Sequence, residues 1–195
     1  MIELIQYLHM ANPLTAEMEQ DVRKALQVKE LTKGRHWLRE GEVCNHITFI
    51  ERGLMKIYTE INGKEVVVWF HKEFDAVISV KSFFKRVPSR LAIQALEPTR
   101  IWYATYEDLW RIYEKHPHFN INGRVITEEY YTISEDHVML MHLPSRERYY
   151  KLLELFPWVE GRIKDKELAA YLGIPSANLS KIKHDRYPAR PRNKP

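Results

Sequence analysis

The residues best equipped for chemistry lie between Asp165 and Lys183, in the stretch DKELAAYLGIPSANLSKIK. Ser176, Asn178 and Lys181 carry donors and acceptors that match base edges in a major groove, while Ser180, Lys183 and His184 suit phosphate oxygens. For that chemistry the six side chains must project from one helix whose far side is anchored. Leu179 and Ile182, three apart, supply the anchor, and Ser176 is a residue type that caps a helix start. Upstream, Leu168 and Leu172 face the same core, small Ala169 lets a second helix approach, and Gly173 sits where the turn needs positive φ. The spacing predicts a helix-turn-helix. The competing reading is two packed helices joined by a glycine turn, with no interest in nucleic acid.

Other reactive residue types lack partners at useful spacing. The nine histidines, among them His71, His116, His118, His137 and His142, form no His-Glu-x-x-His or thiolate-rich pattern. His116 and His118 flank Pro117 and read as a surface pair at a helix start. A single cysteine, Cys44, excludes an intrachain disulfide and cannot by itself hold an iron–sulfur cluster. No phosphate-binding glycine loop, nucleophile elbow or paired carboxylates are present. The expectation is a protein with no catalytic residues, no metal ligands and no cofactor.

Charge agrees with a polyanion partner at one end. The net charge of +4 conceals an uneven distribution, with 12 Lys/Arg against 6 Asp/Glu in residues 143–195 and 18 against 20 before them. Phosphate neutralisation by such a basic segment supplies most non-specific affinity for nucleic acid. At 195 residues, with 45% hydrophobic and 29% charged residues, the chain has the composition of a globular protein with room for two units. No apolar run approaches the ~20 residues of a membrane span, and the N-terminus lacks a basic leader. A cytoplasmic protein without membrane attachment is expected.

The elements that must position the candidate helix are legible in outline. Residues 1–28 read as helical on either side of Pro13, with Thr15 as a cap. From about 31 to 105, the runs Thr48–Ile50, Leu54–Thr59, Val66–Phe70 and Arg100–Ala104 predict an antiparallel β unit, with Asn62-Gly63 as a tight hairpin turn. A long helix follows between Pro117 and Pro144. Phe119, Ile126, Ile133 and Leu140 recur every seven residues along it, with Tyr130 and His137 in a partial second row. The seam suggests a helix paired with its symmetry mate, although a helix packed on its own β unit would show the same pattern. Leu143-Pro144-Ser145 then breaks the helix, and the tail after Tyr187, rich in proline and basic residues, reads as disordered.

In this order of parts the chain resembles the Crp/Fnr family of bacterial transcription regulators. The resemblance rests on Glu40-Gly41-Glu42, Phe49-Ile50-Glu51-Arg52-Gly53, Asn62-Gly63-Lys64-Glu65, Pro88-Ser89-Arg90, Ile93-Gln94-Ala95-Leu96-Glu97, and above all Arg148-Tyr149 with Ala169-Ala170-Tyr171-Leu172-Gly173-Ile174 and Leu179-Ser180-Lys181-Ile182-Lys183. It implies an α+β protein. Its parts would be an antiparallel, jelly-roll-like β-roll of cyclic-nucleotide-binding type in residues 1–112, a dimerisation helix in 113–142, and a winged helix-turn-helix with a truncated wing in 143–195. The implied activity is transcription regulation by a homodimer on a pseudo-palindromic operator. Its implied partners are double-stranded DNA, a second copy of the chain, RNA polymerase and an unspecified small-molecule effector. A dimeric small-molecule sensor whose helix-turn-helix is only structural is the alternative.

Two departures from the family pattern bear on the ligand and the operator. Family members that bind cyclic nucleotides carry a Gly-Glu pair, a short helix, then Arg, Ser or Thr, and Ala. Here the Gly-Glu region reads Phe74-Asp75-Ala76-Val77-Ile78-Ser79, and the later stretch reads Ser89-Arg90-Leu91. An arginine one position late on a strand faces the opposite side of the sheet, so the usual cyclic-nucleotide mode is not expected. If the pocket is used, its lining would be Phe74, Ser79 and Arg90, with Arg124 and Thr127 from the long helix. In the recognition helix, Ser176, Ala177 and Lys181 stand where the family often has Arg, Glu and Arg, so the operator should differ from the best-known ones.

Overall fold

Pro13 splits the N-terminal apolar pattern into two helices. Helix α1 (Ile2–Ala11) ends at Asn12, and α2 (Ala16–Ala25) begins after Thr15, whose hydroxyl accepts the Met18 N–H at 3.2 Å. Leu4, Ile5 and Leu8 make α1 amphipathic and are buried. Each such side chain contributes roughly 1.5–3 kcal/mol on leaving water. The computed structural model describes residues 1–186.

Eight strands follow: β1 (Gln27–Leu31), β2 (His36–Leu38), β3 (His46–Arg52), β4 (Met55–Ile61), β5 (Lys64–His71), β6 (Ala76–Val77), β7 (Ala92–Ala95) and β8 (Thr99–Thr105). They form two four-stranded sheets in the orders β1-β8-β3-β6 and β2-β7-β4-β5, and β1 with β8, β3 with β8 and β6, and β7 with β2 and β4 are antiparallel. Ile50, Val77 and Ile101 of the first sheet and Met55, Ile57 and Ile93 of the second share one core. The turn at Asn62-Gly63 has φ of 53° and 70°, the double left-handed geometry of the tightest hairpins. The strand runs expected from sequence fall on β3, β4, β5 and β8, with Leu54 alone lying just before its strand. The sequence pattern missed β1, β2, β6 and β7, which are short or exposed on all but one residue, and also a short helix, α3 (Val80–Lys85).

Helix α4 (Tyr106–Lys115) starts at Thr105, whose hydroxyl accepts the Asp108 N–H at 3.0 Å. A 3-10 turn at Pro117–Phe119 leads into the long helix α5 (Asn120–Met141), followed by α6 (Ser145–Leu155), a second 3-10 turn (Pro157–Val159), α7 (Asp165–Leu172) and α8 (Ser176–Arg186). By packing, the chain forms two units: Met1–Glu60 with Val68–Tyr131, and Ile61–Val67 with the chain from Thr132 onward. The mixed α+β fold, with antiparallel sheets before a long helix, is the one the sequence predicted.

The heptad residues of α5 pack to differing degrees within their own chain. Phe119 and Leu140 are buried, Ile126 packs against the β core, and the Tyr130 hydroxyl accepts the Ala76 N–H at 2.8 Å. Burial with Asp75 nearby pushes the Tyr130 phenol above its ordinary range. These four side chains are thus packed within the chain, Phe119 and Leu140 wholly and Ile126 and Tyr130 in part. Ile133 and His137 are half-buried. The large apolar side chains that α5 exposes are Ile121, Tyr131, Val138 and Met139, at 36%, 68%, 53% and 69%.

His116 is also corrected. It is buried and bonds Asp21 through Nε2 at 2.8 Å, whereas His118 is exposed. Among the described residues, Glu17, Asp21 and His116 bring metal-ligand atom types together. The Lys115 ammonium already lies 2.9 Å from Glu17 and 2.6 Å from Asp21, so the group is an ion-paired knot joining α2 to α4.

Candidate nucleic-acid interface

The second unit is built on Tyr149, Leu152, Leu168, Leu172 and Leu179, all fully buried. Its α6, α7 and α8 pack on one another. Ala169 is buried between helices, and Gly173 adopts the left-handed conformation at φ 64° that ends α7. The Ile174 N–H then reaches back to the Ala169 carbonyl at 3.1 Å, which closes the turn. The Asn178 and Leu179 N–H groups donate to the Pro175 carbonyl at 2.9 and 3.2 Å. Pro175 is therefore the cap position and Ser176 the first helical residue, one place later than a capping serine would stand.

On α8, Leu179 and Ile182 point inward at 0% and 6% exposure. Ser176, Ala177, Ser180, Lys181 and His184 are exposed, and Asn178 and Lys183 are half-buried. The six residues chosen for nucleic-acid contact thus share one helix whose apolar side is held down. Lys183 is already engaged, with its ammonium 2.6 Å from the Asp165 carboxylate. Exposed Arg146, Lys164 and Lys166 add positive charge on neighbouring elements. Among the described residues this unit is helical apart from the Ile61–Val67 hairpin tip and connecting turns; the wing that the resemblance implies and the basic tail from Tyr187 fall outside the described residues.

Four residues shape the site through contacts that the sequence patterns did not show. The Arg148 guanidinium donates to the Leu143 carbonyl from Nε at 3.2 Å and Nη2 at 2.9 Å, and to the Leu172 carbonyl from Nη1. His137 Nδ1 and the Tyr171 hydroxyl are 2.7 Å apart, with ring centroids at 5.0 Å. Burial lowers the His137 pKa and raises that of Tyr171, so both stay neutral near pH 7. Asp165 and its ion pair complete the set. None of these contacts has a periodic signature, because each joins residues from different elements.

The proposed pocket residues are dispersed in the first unit. Phe74, at φ 72°, is half exposed and its ring lies 6.3 Å from that of Phe49. Ser79 is buried and its hydroxyl lies 2.9 Å from that of Ser89, which in turn donates to the Leu91 carbonyl at 2.7 Å. Arg90 is exposed, one residue past inward-facing Ser89. Arg124 pairs with Glu128 one turn along α5, and Thr127 donates to the Gly123 carbonyl at 2.7 Å. Among the described residues, no hydrogen bond, ion pair or ring contact joins any two of these five.

Residues 28–116 match the sequence profile of the cyclic nucleotide-binding domain. A search of curated protein sequences found no match. Among solved structures, the chain is similar to FixK2 from Bradyrhizobium japonicum, with a TM-score of 0.72 and 17% identity over 82% of this chain and 83% of that one. It is also similar to a Eubacterium rectale protein described as a Crp/Fnr-family transcriptional regulator, with a TM-score of 0.71 and 15% identity over 91% and 85%. A third likeness is to CLP, described as a c-di-GMP responsive global regulator in Xanthomonas campestris, with a TM-score of 0.67 and 13% identity over 88% and 91%. At these identities the likeness is one of fold.

Proposed function

We propose that the chain is a sequence-specific DNA-binding transcription regulator that acts as a homodimer on a pseudo-palindromic operator, without catalysing a reaction. The observation that carries this reading is α8. Its apolar side is sealed by Leu179 and Ile182, while Ser176, Ser180, Lys181 and His184 are exposed and Asn178 is half exposed. Ser176, Asn178 and Lys181 read base edges, and Ser180, Lys183 and His184 contact phosphates. A purely structural helix pair would have no need to keep this polar side open beside Arg146, Lys164 and Lys166.

The second copy docks along α5 on Tyr131, Val138 and Met139. Tyr131 and Val138 are seven residues apart and so fall on nearly the same line of the helix, as a two-fold helix pair requires. This face replaces the heptad row inferred from sequence. Two recognition helices carried by such a dimer must lie about 34 Å apart to enter successive major grooves.

The β-roll, in this reading, does not take a cyclic nucleotide in the usual way. Arg90 is exposed, and the inward position beside it holds Ser89, closed on Ser79. The protein therefore binds DNA without a nucleotide, or responds to a ligand of another class, with RNA polymerase as a further partner. The deciding experiment selects sites from random duplex DNA with the purified protein over a range of salt. Recovery of an inverted repeat without additive supports the reading. Binding that stays sequence-blind and strongly salt-dependent, with cAMP or c-di-GMP added or not, counts against it.

A further inference from the structure

The chain bends between Leu143 and Ser145, where Pro144 interrupts the helical pattern. A bend of that kind ordinarily lets a terminal module swing, because proline supplies no N–H donor and the carbonyls ending the helix lack partners. Here the Leu143 carbonyl does not lack one. It receives both Nε and Nη2 of Arg148, at 3.2 and 2.9 Å, from the first turn of α6. The third arm of the guanidinium, Nη1, reaches the Leu172 carbonyl at the end of α7, beside left-handed Gly173. One planar cation thus spans two carbonyls, the second of them 24 residues along the chain from Arg148, the two-carbonyl reach that arginine has and lysine lacks. A second strut lies one layer away, where His137 of α5 meets the Tyr171 hydroxyl of α7 at 2.7 Å.

We infer that Arg148 is a positioning residue that locks the helix-turn-helix onto the end of the long helix, so that the Leu143–Ser145 bend is a rigid corner and not a hinge. Arg148 touches no DNA in this scheme. It sets the angle at which α8 is presented, and hence the operator spacing the dimer accepts. The inference rests on the DNA-binding reading for that last consequence, but the rigidity itself does not. His137 and Tyr171 assist by tying α5 directly to α7, a second point of attachment that converts a pivot into a brace.

Two measurements on the full-length protein test it. Nitroxide labels at Asp136→Cys on α5 and Lys166→Cys on α7, diluted with unlabelled protein, report the distance distribution within one protomer; native Cys44 is buried and unlabelled. Arg148→Lys keeps the charge but cannot span both carbonyls, and is expected to cause roughly a doubling of the distribution width, with Arg148→Gln doing the same. An unchanged width in both variants overturns the inference. On DNA, Arg148→Lys is expected to weaken binding to the selected inverted repeat about tenfold and to tolerate one inserted base pair better than the unaltered protein, while single half-site affinity stays within about twofold. Equal losses on half-site and full site would assign Arg148 to folding alone and overturn the positioning role. If the unaltered protein selects no inverted repeat, the DNA-binding reading fails, and the distance measurement still decides whether the corner is rigid.

Discussion

The Lys183 ammonium of α8 lies 2.6 Å from the Asp165 carboxylate in the first turn of α7, so a lysine suited to phosphate is held by an acid on the same surface. Lys183 is partly covered and Asp165 is about half exposed. An exposed pair of this kind contributes only about 0–1 kcal/mol to folding. Its larger effect is on DNA, where Asp165 both neutralises Lys183 and repels phosphate. Asp165→Asn is expected to tighten non-specific DNA binding and to steepen the slope of log affinity against log salt by about 0.9, one more phosphate contact. Thermal unfolding should change little. A shallower slope in a salt titration would show that Lys183 does not reach DNA.

Gly173 stands at φ 64°, and a Cβ placed there would meet only Arg148 Nη1, at the ordinary distance of 3.6 Å. The cost of Gly173→Ala is therefore conformational and not steric, about 1–2 kcal/mol. Chemical denaturation should show the second unit losing that much stability. Gly173→Asn, which tolerates the left-handed region better, should recover part of it. Equal stability of the alanine and glycine forms would mean that the turn relaxes.

Val138 and Met139 are exposed at 53% and 69% on a helix whose other side is packed. Val138→Glu combined with Met139→Glu is expected to halve the mass measured by light scattering, because like charges would face each other across a two-fold axis. Circular dichroism should remain native, since neither side chain is part of the core. Ile126→Glu is the contrasting change. It is expected to unfold the first unit, because Ile126 packs against the β core.

Acid stability should depend on Asp21. Hydrogen bonds from Lys115 and then His116 hold its carboxyl at about 2, below the ordinary 3.8. The folded state therefore binds this proton less readily than the unfolded one. The stabilisation is fully present above about pH 4 and is lost as pH falls toward 2. Asp21→Asn should flatten that part of a stability-against-pH curve measured by denaturant unfolding. An unaltered acid limb would place the sensitivity elsewhere.

The helix-turn-helix was legible because its demands are local. Ala169, Gly173, Leu179 and Ile182 each answer to backbone sterics or a helical period that recurs within 20 residues, and the structure puts each where the spacing required. Asn62-Gly63 was legible for the same reason, since two adjacent positive φ angles are a property of the dipeptide. The edge strand β1 was not, because Gln27–Glu30 are exposed and show no alternation. The heptad of α5 was readable as a pattern but not as a partner. A seven-residue repeat records that one helix face is buried, without saying whether a second copy or the chain's own sheet buries it.

By itself, then, the sequence determined the longer strands and the C-terminal helices, the turns at Asn62-Gly63 and Gly173, the basic C-terminal charge and the outward residues of α8, all consequences of short-range geometry and composition. Only the tertiary structure decided that Phe119, Ile126 and Tyr130 pack inward, that Ser89 closes on Ser79, and that Asp165 claims Lys183. It alone decided that Arg148 joins Leu143 to Leu172. Those contacts depend on where separate elements come to rest, and a side chain's partner across 24 residues leaves no period in the chain to read.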